Sequence, residues 1–168
     1  MMTVKETKEE SFYYPAIKEW LSKEGWNAVI SAEAGISIPT GPYFPRVTIQ
    51  PDLVGYKKED YAERIICVEV KTSAEGVYQG IGQCAVYKTM SNFIYLALPK
   101  HVCDTIQNTK MFKSIGIGLL EFVEHEPVRK EMSPVTVNLK FECPENLSVE
   151  RTFYDQLLNM IRDFFAKQ

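Results

Sequence analysis

The chain has 168 residues, of which 45% are hydrophobic and 24% charged, and its formal charge is −3. That length and composition fit one globular domain and exclude a disordered chain; no stretch approaches the roughly 18 apolar residues of a membrane-spanning helix. The slight acidity argues against a general polyanion binder, whose affinity would come from Lys and Arg, while leaving room for a local basic groove.

The first ten residues are acidic and polar, which does not fit a secretory signal, so the expected setting is the cytoplasm. From Tyr13 the spacing of Tyr13, Ile17, Trp20 and Leu21 predicts a helix, with Pro15 in its first turn, a start between Ser11 and Tyr14, and Gly25 as its stop. Trp26 to Glu33 reads as a strand, and Gly35 to Pro45, with three prolines and two glycines, as a loop carrying Tyr43 and Phe44. Arg46 to Tyr56 alternates as a second strand, Lys57 to Arg64 is a charged connector, and Arg64 to Thr72 is a third strand rich in branched residues. Thr72 and Glu75 fit a capping box opening a helix that runs to about Ser91.

Asn92 to Leu98 is a continuous apolar run, the signature of a central strand buried on both faces. A weaker helix over His101–Ile115, a strand over Gly116–Glu124, a strand over Val135–Glu142 and an amphipathic helix over Ser148–Ala166 complete the chain. This order predicts an α/β fold: a mixed β-sheet flanked by helices, with an αβββαβ core over about 10–125 and a strand-helix addition over about 126–168. The unit from Arg64 to Leu98 should be a right-handed parallel crossover. The four cysteines (67, 84, 103 and 143) form no C-x-x-C, so buried free thiols are expected. With only two histidines, a His- or Cys-rich zinc site is not indicated.

Three ionisable groups stand out against apolar strands. Asp52 follows Pro51, and Glu69 and Lys71 lie two apart at the end of the third strand, so alternation puts Cys67, Glu69 and Lys71 on one face. An antiparallel hairpin between the second and third strands can bring Asp52 beside Glu69. Two adjacent carboxylates repel unless they share a proton or a cation, and a hard divalent metal resolves the conflict. A nearby lysine can then hold an attacking water or offset charge on a phosphoryl group. The plain alternative is that Glu69 and Lys71 are the solvated end of a strand. On the following helix, Gly76, Gly80, Gln83 and Tyr87 share a face. The two glycines imply either close approach of another group or tight helix-on-sheet packing.

Pro51-Asp52, Glu69-Val70-Lys71 and the Q-x-x-x-Y of Gln83 and Tyr87, in this element order, resemble the PD-(D/E)xK nuclease superfamily, and the Q-x-x-x-Y resembles its RecB-like members. The match covers Tyr13 to about Leu98. The resemblance implies a restriction-endonuclease-like mixed four-stranded sheet and Mg²⁺-dependent phosphodiester hydrolysis, with Mn²⁺ as a substitute. It implies Asp52, Glu69 and the Val70 carbonyl as metal ligands, Lys71 positioning or activating water, and Gln83 and Tyr87 as supporting catalytic residues. Many members add a first-helix glutamate; the candidates here are Glu10, Glu19 and Glu24, with Glu33 a further one.

The expectation is a metal-dependent nuclease acting on DNA, with RNA left open. The alternatives are a nuclease-fold module that binds nucleic acid or a protein without cleaving, and a structural protein in which Asp52 and Glu69 lie far apart. Tyr43, Phe44 and Arg46 on the proline-rich loop can stack on bases or touch phosphates, or pack on the loop itself. His101 with Cys103 lacks the third residue of a catalytic dyad's support. The apolar stripe Phe153, Leu157, Ile161, Phe164 and Phe165 suggests a homodimer through Ser148–Gln168, or a helix that caps its own core.

Overall fold

The computed structural model describes residues 8–40, 48–126 and 133–168. A 3₁₀ turn, Glu10–Tyr13, leads into α1 (Tyr14–Lys23), with Pro15 in its first turn as expected. Then come β1 (Asn27–Ile30), α2 (Ser31–Ala34), β2 (Ile38–Pro39), β3 (Thr48–Ile49), β4 (Leu53–Glu59) and β5 (Ala62–Val70). The chain continues through α3 (Val77–Tyr87), β6 (Phe93–Pro99), α4 (Lys100–Cys103), α5 (Lys110–Ile115), β7 (Gly118–Glu124), β8 (Val135–Phe141) and α6 (Arg151–Ala166).

Six strands form one mixed sheet in the order β1-β4-β5-β6-β7-β8, and β2 pairs with β3 in a separate two-stranded ribbon. β5, β6 and β7 run parallel; the other neighbours are antiparallel. Alternation along β5 divides the core. Ile65 and Cys67 join the face covered by α3, α5 and α6, whereas Ile66, Val68 and Val70 join the face covered by α1. β6 is buried along almost its whole length, which is why its sequence does not alternate. The four cysteines are free and buried, and burial pushes the Cys67 and Cys103 thiols up to about 12.

Several elements differ from the sequence reading. The strand expected over Trp26–Glu33 stops at Ile30; the chain turns helical at Ser31, and Gly35 ends that turn with φ 65°. Glu33 therefore leaves the sheet. The strand expected over Arg46–Tyr56 is two strands in different sheets, broken at Pro51, which has no N–H to give a ladder. The charged connector is no connector: Lys57 pairs with Arg64, Lys58 with Glu63 and Glu59 with Ala62, so β4 and β5 form a long hairpin turning at Asp60. Charge there marks an exposed hairpin end, because ladder bonds need only backbone.

The capping box does not form either. Thr72 to Gly76 is a turn, Gly76 precedes α3 without a side-chain cap, and Ser73 Oγ accepts from the Gly76 N–H (3.3 Å). The helix expected over His101–Ile115 is two short pieces, α4 and α5. Between them Asn108 Oδ1 accepts from the Lys110 N–H (2.9 Å), a local bond that competes with helix.

α6 starts at Arg151, where Glu150 caps it by accepting from the Phe153 N–H (2.9 Å). Its stripe turns inward: Leu157 and Ile161 are fully buried, and Phe153, Phe164 and Phe165 pack half-buried on the same core. Burying Leu157 and Ile161 contributes roughly 1.5–3 kcal/mol each. Two of the five stripe residues are thus core of this chain, and the other three stay half-buried at its edge. Tyr43, Phe44 and Arg46 lie outside the described residues.

Candidate functional site

The antiparallel ladder between β4 and β5 pairs Leu53 with Val68. Continued by one residue, that register sets Asp52 across from Glu69, and residues opposite one another share a face. Asp52 is pinned there from three sides. Its backbone carbonyl accepts from the Ser31 N–H (3.0 Å), its Oδ2 from the Val70 N–H (2.7 Å) and its Oδ1 from the Tyr14 hydroxyl (2.6 Å).

Glu69 and Lys71 sit at the end of β5, only 1% and 6% exposed. Lys71 stays extended because its N–H bonds the Ala97 carbonyl at 3.0 Å. Its Nζ donates to Glu69 Oε1 (2.7 Å) and reaches Glu10 Oε1 at 3.3 Å. The second Glu69 oxygen accepts from the Tyr87 hydroxyl at 2.6 Å, and that hydroxyl also lies 3.3 Å from the Gln50 carbonyl. Tyr87 reaches the site from α3 and Tyr14 from α1, one from each side of the sheet.

Lys71 explains both glycines, Gly76 just before α3 and Gly80 within it. A Cβ on Gly76 would stand 3.1 Å from Lys71 Cδ; one on Gly80 would stand 3.0 Å from Lys71 Cγ and 2.6 Å from Leu96 Cδ1. The bare helix surface is the bed on which the lysine stem lies, so close approach and tight packing are here the same fact.

Burial first, then the negative charge of Asp52, lifts Glu69 to about 7 despite hydrogen bonds from Lys71 and Tyr87. Asp52 is also raised by burial, against the pull of Tyr14, Val70 and Lys71. Burial alone would lower Lys71, but Glu69, Glu10 and Asp52 outweigh it and keep the ammonium charged. Burial and the adjoining carboxylates raise both tyrosines far above the ordinary range, so both hydroxyls remain donors.

The structure therefore brings together Asp52, Glu69, Lys71 and Tyr87 of the sequence-predicted residues. The Val70 N–H is engaged with Asp52. Gln83 lies one turn before Tyr87, and its Oε1 is buried without a hydrogen-bond partner among the described residues. Of the candidate glutamates, Glu10 reaches the site; Glu19 bonds Lys23 (2.7 Å) on the surface, and Glu24 and Glu33 are exposed. Cys103 is buried with its thiol 3.8 Å from the Leu98 carbonyl, while His101 is exposed. Tyr14 is the residue the sequence reading missed. Its one signal is its place four residues after Glu10, one helical turn on.

As a metal site, the donor set is all oxygen, which suits Mg²⁺ or Mn²⁺. One buried carboxylate, Glu69, and two half-buried ones, Asp52 and Glu10, face one ammonium, an excess of negative charge that a divalent cation would relieve. Among the described residues no three His, Cys, Asp or Glu side chains gather as a ready metal cage. Any ion here would rest on Asp52 and Glu69, with backbone oxygen and water completing its shell.

No protein-family model matches the chain, and no curated protein matches it. A solved structure does: SPO1766, a protein of unknown function from Silicibacter pomeroyi, is similar with a TM-score of 0.61 and 12% identity, over 97% of this chain and 90% of that one. At that identity the likeness is one of fold.

Proposed function

We propose that this protein is a metal-dependent nuclease that hydrolyses phosphodiester bonds of DNA, built on a restriction-endonuclease-like variant of its α/β fold. One observation carries the reading. A Glu-x-Lys pair is buried at the end of a central strand, with Asp52 held opposite it. A buried ion pair is a weak source of stability, since removing two charges from water offsets most of their attraction. Groups held this way, with a carboxylate lifted to about 7, are characteristic of sites that bind or react.

A bound Mg²⁺ or Mn²⁺ would supply an activated water and neutralise charge at the phosphate. Asp52 and Glu69, with the Val70 carbonyl that the family resemblance adds, would hold it. Tyr14 and Tyr87 fix the two carboxylate planes by donating at 2.6 Å each. Lys71 stays protonated, so its part is to donate to the attacking water or to a phosphate oxygen and not to remove a proton. Gln83 offers an unpartnered amide oxygen one turn from Tyr87.

The test is incubation with labelled DNA and RNA of single-stranded, duplex and branched form, with Mg²⁺ or Mn²⁺, beside Lys71→Ala. Cleavage by the wild type and its loss in the variant is the expected result. No cleavage of any substrate, or equal cleavage by Lys71→Ala, overturns the reading. A second reading, a module that binds nucleic acid or protein without cutting, is favoured by one observation: both Asp52 oxygens already accept bonds from the chain itself. It predicts binding with no product under every metal.

A further inference from the structure

A cavity of about 670 Å³ opens one residue past Lys71, at the carboxyl ends of the parallel strands β5, β6 and β7. In open sheets of this kind ligands sit outside the carboxyl ends of parallel strands. Its wall on the site's side is the Thr72–Glu75 turn, and its far wall comes from α4 and the residues after it, including His101 and Thr105. Tyr13 and Phe122 are among its lining, their rings 4.2 Å apart and buried. Tyr13, the last residue of the 3₁₀ turn, stands one residue before Tyr14, and Thr72 one residue after Lys71, so chain neighbours of two site residues line the cavity.

The charges of this cleft are paired within it. Lys8 bonds Glu124 at 2.9 Å, and Lys100 bonds Asp104 at 2.9 Å; Glu75 adds a further carboxylate to the lining. A run of phosphates, as on a duplex groove, would meet no surplus of cations here. The rest of the lining joins apolar groups (Ala74, Pro99, Val102) to the hydroxyls of Thr72, Ser73 and Thr105. That mixture suits a flat heterocycle with polar edges. The volume lies in the range of roughly 300–1,000 Å³ that seats one small ligand, too little for stacked base pairs.

We infer that this cleft seats a single unstacked nucleotide, base inward, with its phosphate toward Lys71. The inference rests on the nuclease reading for that direction and names its substrate class: a single-stranded or frayed strand, since a base can enter a pocket of this size only after leaving the stack.

The test is titration of the full chain with thymidine and thymidine 5′-monophosphate, followed by backbone amide shifts of Thr72–Glu75 and His101–Thr105. Thr105→Trp and Ala74→Phe, at exposed positions on opposite walls, fill the cleft. The expected result is saturating shifts at these amides for both ligands, lost in either filled variant. In Asp52→Asn/Glu69→Gln the thymidine shifts should persist, because that ligand does not need the carboxylates. No saturating shift in the wild type, or equal binding by the filled variants, overturns the inference. Nucleotide binding at the cleft with no cleavage of any strand leaves the cleft assignment standing and overturns the nuclease reading instead. Cleavage of closed duplex circles as fast as single strands overturns the substrate class.

Discussion

Gly80→Ala puts one methyl where the structure has no room. The new Cβ would lie 2.6 Å from Leu96 Cδ1 and 3.0 Å from Lys71 Cγ. Neither neighbour yields freely: Leu96 is fully buried, and the Lys71 stem is anchored by the bond from its Nζ to Glu69. Overpacking of this kind costs about 1–3 kcal/mol, while Ala gains about 1 kcal/mol over Gly in helix propensity. Gly82, in the same helix, separates the two effects, because a Cβ there meets nothing within 4 Å. Gly82→Ala should raise stability by about 1 kcal/mol, and the difference between the variants isolates the clash at about 1–3 kcal/mol. For a chain of this size each kcal/mol moves the melting temperature by about 2–4 °C. Thermal melts should therefore rank Gly82→Ala above the wild type and Gly80→Ala well below Gly82→Ala. Cleavage should fall in Gly80→Ala alone, since its methyl also shifts the lysine stem. Equal melting temperatures for the two alanine variants would refute the account of the Lys71 bed.

Three further outcomes follow from the same geometry. Mn²⁺ or Ca²⁺ should raise the melting temperature of the wild type by mass action, and Asp52→Asn/Glu69→Gln should show no rise; an equal rise places the ion elsewhere. Tyr14→Phe removes the hydroxyl that orients Asp52 and should weaken Mn²⁺ binding by about 10–100-fold in a calorimetric titration, with little change in fold by circular dichroism. Glu69 holds its proton to about 7, above its ordinary value of 4.5, so the folded chain binds that proton more tightly than the unfolded chain. Metal-free stability should therefore fall as the pH rises from about 5 to about 7, and the fall should be shallower in Glu69→Gln; parallel pH profiles would show that the lifted carboxyl is not the cause.

What was legible in the sequence was what periodicity carries. The continuous apolar run of β6 announced a strand buried on both faces, and period two along β5 put Glu69 and Lys71 on one face, where Tyr87 meets Glu69. What failed was local chemistry overridden by tertiary contact. Thr72 and Glu75 have the capping-box spacing, yet Lys71 must stay extended to bond Ala97, and the helix begins only at Val77. The charged stretch after Tyr56 read as a loop because polarity is a property of exposure; the ladder bonds that make it a hairpin are invisible in side-chain type.

Glu10 and Tyr14 show the harder limit. Both precede or open the first helix, where a 3₁₀ turn replaces the helical period and Pro15 obscures the start. Neither has a neighbour in sequence that hints at Asp52 or Lys71, because the contacts span 38 and 61 positions. Gly76 and Gly80 are the counter-example. A glycine inside a helix costs about 1 kcal/mol relative to alanine, so Gly80, one turn past the Gly76 that opens α3, demands a reason from elsewhere in the fold. That reason is a lysine five and nine residues upstream, lying across the bare turn. Glycine in α3 thus encodes a long-range contact in a local departure from propensity, and the reading of Lys71 as a buried, positioned group draws on the helix that follows it as much as on the strand that carries it.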